Sequence, residues 1–287
     1  MKLKAASLSD PGLKRERNED YSAVDNSIGL YIVADGMGGH QAGEVASKVA
    51  VEIIQKNVNY WIAKNSPEDE VFDLPDSTLS TRGNYILSSI KLANRVIYEL
   101  SKVSAKFKGM GTTIVVLALM PYTVIASNVG DSRIYLIRGD TIELLSREHN
   151  MVTEQLEMGL ISKEEAEVSP LRHVLTRNLG SSDTVDVDIF EIEPMNKDRF
   201  LLCTDGLTDL VSDDEILRII KNGDDPKHLC QQLVSEANKR GGHDNITVSL
   251  IFVNKQDDER KGVAKRFWPL FKKIIRGLRF QLTTKKG

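Results

Sequence analysis

The run TTIVVLALMPYTVIASNVGDSRIYLI, Thr112–Ile137, decides the architecture. Thr112–Met120, Thr123–Asn128 and Ile134–Ile137 are rich in β-branched residues and short enough to be strands. Only Met120-Pro121-Tyr122 separates the first from the second, and the Gly130-Asp131 turn separates the second from the third. Connections this short join antiparallel neighbours, because a parallel crossover needs a dozen residues or more. Working outward, Leu30–Ala34 (LYIVA), Phe200–Cys203 (FLLC) and Ile246–Val253 read as further strands. Helical spacing appears over Glu44–Asn57 (Val45, Val49, Ile53, Ile54) and over Tyr85–Lys102 (Ile86, Ile90, Ala93, Ile97). Ser212–Lys221 opens on a Ser cap and acids in its first turn, and Pro226–Lys239 has Pro in its first turn. Asn150–Gly159 and Ser162–Val168 read as two short helices, with Ser162 and Glu165 spaced as a capping box. Lys64–Asn84, with Pro67, Pro75 and several acids, reads as a loop. Antiparallel sheets with helices outside, an α+β class, fit this order better than a doubly wound sheet.

Length and composition agree. The chain has 287 residues, 41% hydrophobic and 28% charged, too apolar for a disordered chain. Cys203 and Cys230 are its two cysteines, which excludes a disulfide scaffold and a Cys-rich zinc module. No apolar run reaches the ~18 residues of a spanning helix, and the start MKLKAASLSDPG lacks the apolar stretch of a signal peptide, so the expected compartment is the cytoplasm. The net charge of −3 conceals an asymmetry. Arg260–Gly287 holds ten Lys or Arg and no acid, leaving 28 basic against 41 acidic residues in 1–259. An acidic body does not suit nucleic acid, and a basic tail on it predicts a second unit with its own partner.

The chemistry is concentrated in Asp-Gly and Gly-Asp pairs at strand ends. Asp35-Gly36 follows LYIVA, Thr204-Asp205-Gly206 follows FLLC, Gly130-Asp131 sits between strands, and Gly241-Gly242-His243-Asp244-Asn245 precedes the last strand. Taken singly, each is an ordinary turn signal. Taken together, carboxylates on rigid edges suit hard divalent cations such as Mg²⁺ or Mn²⁺, which take oxygen ligands. Like charges gathered in one place need a cation, or some must protonate. Two ions ~3.5–4 Å apart would activate a water and clamp an in-line displacement at phosphorus. Spacing alone does not bring residues 35, 205 and 244 together.

An ordered series of segments carries a resemblance: RERNED (15–20), VADGMGG (33–39), GMGTT (109–113), NVGDSR (128–133), LTRNLG (175–180), TDGL (204–207) and GGHDNIT (241–247). Through it the chain resembles the bacterial metal-dependent Ser/Thr protein phosphatases of type 2C, over about residues 5 to 253. The resemblance implies a four-layer α/β/β/α sandwich with a small flap at about 149–180. It implies two Mn²⁺ or Mg²⁺ ions, with a third in bacterial members. Asp35 matches the bridging carboxylate, Gly36 a backbone carbonyl ligand, Asp205 and Asp244 further ligands, and Asp131 a ligand of the third ion. Glu19 and Asp20 match acids acting through waters. Arg15 matches the phosphate-binding Arg, a task its planar fork suits, with Arg17 a neighbour at the wrong spacing. Outside the motif, either Arg reads as a solvated surface charge. His40 stands later than the family's His two residues after the bridging Asp, where Met37 stands here. It is a candidate general acid, a substrate contact or a solvent-facing side chain. His149, His173 and His243 match no metal-ligand spacing, and Cys203 reads as a buried inert thiol.

The implied reaction is hydrolysis of phosphoserine or phosphothreonine by in-line attack of a metal-bridging hydroxide. The implied partners are phosphoproteins and an opposing Ser/Thr kinase, with the enzyme a monomer. A catalytically silent phosphoprotein binder and another two-metal phosphohydrolase are the alternatives, and the retained Asp35, Asp205 and Asp244 speak against the first. The tail, 255–287, lies outside the resemblance. Phe267, Phe271, Ile274, Ile275 and Leu278 share one face of a candidate helix, with Lys272, Lys273, Arg276 and Arg279 around the other. That pattern suits a membrane surface, an acidic partner or packing on the chain's own body.

Overall fold

The computed structural model of the chain describes residues 1–38, 42–67 and 71–254. In chain order the strands are β1 (Lys2–Asp10), β2 (Tyr21–Asp25), β3 (Leu30–Ala34), β4 (Gly36–Met37), β5 (Gly111–Thr112), β6 (Ile114–Leu119), β7 (Val124–Val129), β8 (Arg133–Arg138), β9 (Thr141–Leu144), β10 (Asp188–Ile192), β11 (Arg199–Cys203) and β12 (Ile246–Asn254). The helices are α1 (Ala42–Lys64), α2 (Thr81–Val103), α3 (Met151–Glu157), α4 (Lys163–Glu167), α5 (Asp205–Thr208), α6 (Asp213–Lys221) and α7 (Pro226–Lys239). One sheet runs β1-β12-β11-β8-β9, a second β10-β7-β6-β3-β2, and β4-β5 form a short ribbon. The pairing is antiparallel throughout, as the short turns require.

The strand sequences explain the layers. In β3, alternate residues point to opposite faces, so Leu30, Ile32 and Ala34 meet α1 and α2 while Tyr31 and Val33 meet the other sheet. In β11, Leu201 and Cys203 pack with α6 and α7, and Phe200 and Leu202 face inward. Both faces of each central strand are covered, so its sequence is a continuous apolar run without alternation. The result is helix, sheet, sheet, helix, with three apolar interfaces between them. Removing the fully buried Phe200 ring from the middle interface would cost about 3–5 kcal/mol.

Three expectations change. Thr112–Met120 is not one strand. The chain breaks at Thr113, whose N–H donates to the Asp35 carbonyl at 2.8 Å, and Gly111–Thr112 pairs instead with Gly36–Met37. The first helix extends seven residues beyond Asn57, to Lys64, burying Val58 and Trp61. The α2 start lies inside the expected loop: the Ser80 hydroxyl caps it by accepting the Gly83 N–H at 3.1 Å. The capping box at Ser162 and Glu165 is present. Both cysteines are buried and unpaired, and burial pushes the Cys203 thiol up to about 12. No helix among the described residues is long and apolar enough to cross a membrane. The tail reading at 255–287 lies outside the described residues.

Candidate active site

One end of the sandwich gathers the acids. Asp35 ends β3, Asp131 sits in the β7–β8 turn, Asp205 opens α5 directly after β11, and Asp244 precedes β12. Asp20 enters from the segment before β2. Together with Arg15 and Glu19 from that segment they surround a cleft of about 780 Å³, which Asp35, Asp131, Asp205 and Asp244 line. Antiparallel strands whose ends coincide at one edge place residues 200 positions apart side by side.

Threonines hold the floor. Thr113 Oγ1 accepts the Asp35 N–H at 3.0 Å and bonds the Ser132 hydroxyl at 2.7 Å. Thr204 Oγ1 donates to Asp20 Oδ2 at 3.0 Å and accepts the Thr247 N–H at 3.0 Å. Asn245 Oδ1 accepts the Glu19 N–H at 2.8 Å, and the Asn245 amide donates to the carbonyls of Pro11 and Arg17. Gly36 is required sterically. A Cβ there would stand 2.2 Å from the Gly43 carbonyl oxygen and 2.5 Å from that of Glu19. This close backbone approach docks α1 against the cleft.

The electrostatics of the cleft are those of several carboxyl groups buried side by side. Burial drives the Asp35 carboxyl well above the usual carboxylate range, and the charges of Asp20, Asp205, Asp131 and Asp244 raise it further. Burial likewise lifts Asp20 to about 7, against hydrogen bonds from Thr247 and Thr204. Asp131 rises to about 8, by burial and then by the charges of Asp205 and Glu148. Glu19 is raised mainly by burial, although Arg15 opposes this. Asp20 Oδ1 and Asp205 Oδ1 are buried with no hydrogen-bond partner among the described residues. Buried carboxylate oxygens without donors are the oxygen ligand set that a hard divalent cation takes, so the donor chemistry fits.

The cationic side chains at the cleft are peripheral. Arg15 Nη2 donates to Asp244 Oδ2 at 2.8 Å, and its guanidinium is half exposed. His173, from the segment after α4, stands with Nδ1 3.7 Å from Asp205 and Nε2 3.6 Å from Asp209. Asp205 and to a lesser degree Asp209 hold its ring above the usual histidine range, against partial burial. Arg17 contributes its backbone carbonyl, which accepts an Asn245 side-chain N–H at 2.8 Å. His243 lines the cleft, His149 is buried just before α3, and His40 lies outside the described residues.

The structure therefore brings together Arg15, Glu19, Asp20, Asp35, Gly36, Asp131, Asp205 and Asp244. Sequence reasoning missed Asp209 and the supporting threonines. Asp209 follows Asp205 by one helical turn, a spacing visible in TDGLTD that marks a shared face. The threonines carry no such signal, because a Thr in a strand reads as β-propensity alone.

Comparison with known proteins adds to this geometry. The protein phosphatase 2C family model matches residues 7–246. The chain belongs to the protein phosphatase 2C family. It is 35% identical over 255 residues to the protein phosphatase PhpP of Streptococcus pneumoniae, covering 88% of this chain and 98% of that protein. It is 36% identical over 258 residues to the serine/threonine phosphatase stp of Listeria monocytogenes, covering 88% and 96%. Among solved structures, the Mycobacterium tuberculosis serine/threonine phosphatase PstP/Ppp superposes with a TM-score of 0.77 at 29% identity, over 89% of this chain and 100% of that one. The Streptococcus agalactiae serine/threonine phosphatase gives 0.76 at 33% identity, over 88% and 100%. The catalytic domain of PstP in complex with two manganese ions gives 0.74 at 29%, over 88% and 99%. The family's four-layer fold is thus the fold of this chain.

Proposed function

We infer that this phosphatase 2C chain is a metal-dependent protein serine/threonine phosphatase working with Mn²⁺ or Mg²⁺. The observation that carries the reading is the convergence of five aspartates on one cleft, with two buried carboxylate oxygens left without donors among the described residues. We assign Asp35, the Gly36 carbonyl, Asp205 and Asp244 to hold two ions, Asp131 to border a third, and Asp20 and Glu19 to act at one remove. Bound divalent cations would let these carboxylates stay ionised together and would bring a water's pKa into the range of a nucleophile. Thr113 and Thr204 hold Asp35 and Asp20 in place, so the acids need no reorganisation during reaction. Arg15 offers its free N–H groups to phosphoryl oxygens at the cleft mouth, while the bond to Asp244 keeps the fork oriented. Its side chain meets charge that grows as the phosphoester bond breaks. His40 remains the candidate proton donor to the departing Ser or Thr oxygen.

The proposal extends to partners and place. A phosphatase of this kind needs an opposing Ser/Thr kinase to renew its substrate, and we propose a cytoplasmic monomer. We divide the chain into a phosphatase domain, 1–254, and a basic tail, 255–287, directed to an anionic membrane surface or acidic partner. Phosphate release from p-nitrophenyl phosphate and phosphothreonine peptides tests the activity, which should need Mn²⁺ or Mg²⁺ and vanish with EDTA. Turnover that survives EDTA would overturn it. Vesicle sedimentation of the full chain against a chain ending at Asn254 tests the tail.

A further inference from the structure

His149 is 1% exposed and lies outside the cleft lining, yet its ring is bonded to the turn that carries Asp131. Its backbone N–H donates to the Gly130 carbonyl at 3.0 Å. Its ring Nδ1 accepts the Gly130 N–H at 3.1 Å. Because Nδ1 is the acceptor, the ring proton sits on Nε2, which lies 3.3 Å from Asp188 Oδ2 at the start of β10. Arg177 Nη1 donates to the other oxygen of the same carboxylate at 3.0 Å. The His149 carbonyl accepts the Thr176 N–H at 2.9 Å, and Met151 N–H donates to the Val174 carbonyl at 2.9 Å. The outgoing stem of the flap at 149–151 and its returning stem at 174–177 are thus laced to each other, and His149 joins both to the main sheets.

The other end of this clasp is the catalytic floor. Gly130 immediately precedes Asp131 and has a φ of 104°, in the left-handed region. A Cβ there would stand 2.6 Å from the Thr113 side chain, whose hydroxyl supports Asp35. No side chain fits at Gly130, so its backbone lies close against Thr113 with Asp131 next in the chain.

We propose that His149, as the Nε2–H tautomer, is a positioning residue that locks the flap to the Gly130–Asp131 turn, so that flap and Asp131 carboxylate move as one body. The clause concerning Asp131 rests on its assignment above to the border of a third ion. The Nδ1 side sets the turn that aims Asp131. The Nε2 side, through Asp188 and Arg177, sets the flap. A protein substrate that presses on the flap is thereby coupled to the acid cluster beneath it.

The two sides can be separated by side chains that reproduce one ring nitrogen each. In His149→Asn the amide oxygen stands in for Nδ1, and in His149→Gln the amide nitrogen stands in for Nε2. The readouts are Mn²⁺ binding by calorimetry, trypsin cleavage after Lys163 and Arg172 in the flap, and thermal midpoint. Kinetics on p-nitrophenyl phosphate against a phosphothreonine peptide complete the set. His149→Ala should weaken the weakest Mn²⁺ site about 10-fold or more, the scale of losing a supporting partner, and speed flap cleavage by a similar factor. His149→Asn should keep Mn²⁺ binding within about threefold of the wild type but leave the flap rapidly cleaved and the peptide KM raised. His149→Gln should do the reverse. Asp188→Asn, which leaves Gly130 untouched, should speed flap cleavage without weakening Mn²⁺ binding, and it answers the question even where His149→Ala does not fold. Equal loss of both readouts in Asn and Gln, in step with the thermal midpoint, would overturn the proposal in favour of a merely structural histidine. So would a folded His149→Ala variant with wild-type cleavage and Mn²⁺ binding. A wild-type chain that binds no Mn²⁺ would instead sink the assignment of Asp131, while the cleavage arm would still test the clasp.

Discussion

Asp198 and Asp205 flank the same strand, β11, at opposite ends. Asp198 is fully buried, and Arg138 meets it with two bonds of 2.7 Å while the Met195 N–H donates to it at 2.7 Å. Asp205 has a buried oxygen with no partner among the described residues and neighbours that are themselves acids, and the imidazole of His173 stands 3.7 Å from its other oxygen. A chain that buries a carboxylate for structure supplies an Arg and a backbone donor. Toward Asp20, Asp35 and Asp131 this chain extends neither Lys nor Arg within ion-pair distance among the described residues. The difference is what makes the cleft a cation site rather than an ordinary polar core.

That contrast can be broken in four ways, taken in falling order of effect. Asp35→Asn removes the central carboxylate of the cleft, and turnover should fall on the order of 10⁴-fold, about 5.5 kcal/mol of barrier. A variant as fast as the wild type on p-nitrophenyl phosphate would show that the cluster is not catalytic. At the far end, Asp198→Ala removes the two 2.7 Å bonds of the largely buried Arg138 guanidinium, which keeps its contact with the Glu193 carbonyl, and should cost about 3 kcal/mol in denaturant unfolding, with turnover per folded molecule unchanged.

The third test uses pH. Asp20 and Asp131 titrate higher in the folded chain, at about 7 and about 8, than in the unfolded chain. A raised carboxyl contributes stability that is complete below its unfolded value, about 4, and is lost as pH climbs through the folded value. The metal-free protein should therefore melt at progressively lower temperature from pH 5 to pH 8, by several degrees, and saturating Mn²⁺ should reverse the slope. A thermal midpoint independent of pH in EDTA would contradict the electrostatic reading of the cleft. The smallest effect belongs to an acid of a third kind. Glu99, half exposed and 2.8 Å from Arg95 one helical turn away, should cost about 0.5 kcal/mol or less when changed to Gln.

The central strands of both sheets were legible because burial on both faces makes them continuous apolar runs. The edge strands were not. In β1, β2, β9 and β10 the residues are mostly half-buried, and sequences such as YSAVD lack a pattern that separates strand from loop. What makes Lys2–Asp10 a strand is its pairing, residue for residue, with Asn254–Ile246 at the other end of the chain. The break at Thr113 was equally hidden, since nothing in TTIVVLALM shows that its first residues answer to Asp35.

The candidate site divides along the same line. The identity of its acids follows from local chemistry, because Asp beside Gly at the end of an apolar strand can be recognised within a few residues. Their meeting does not. The mutual elevation of Asp20, Asp35 and Asp131, the reach of His173 across to Asp205 and Asp209, and the seating of the His149 ring on Gly130 join positions up to about 110 residues apart. Sequence alone determined which residue types were available and which helices and central strands would form, since these depend on neighbours along the chain. Only the tertiary structure decided which carboxylates share a cleft and which receive an Arg, because burial and Coulomb energy depend on distance through space.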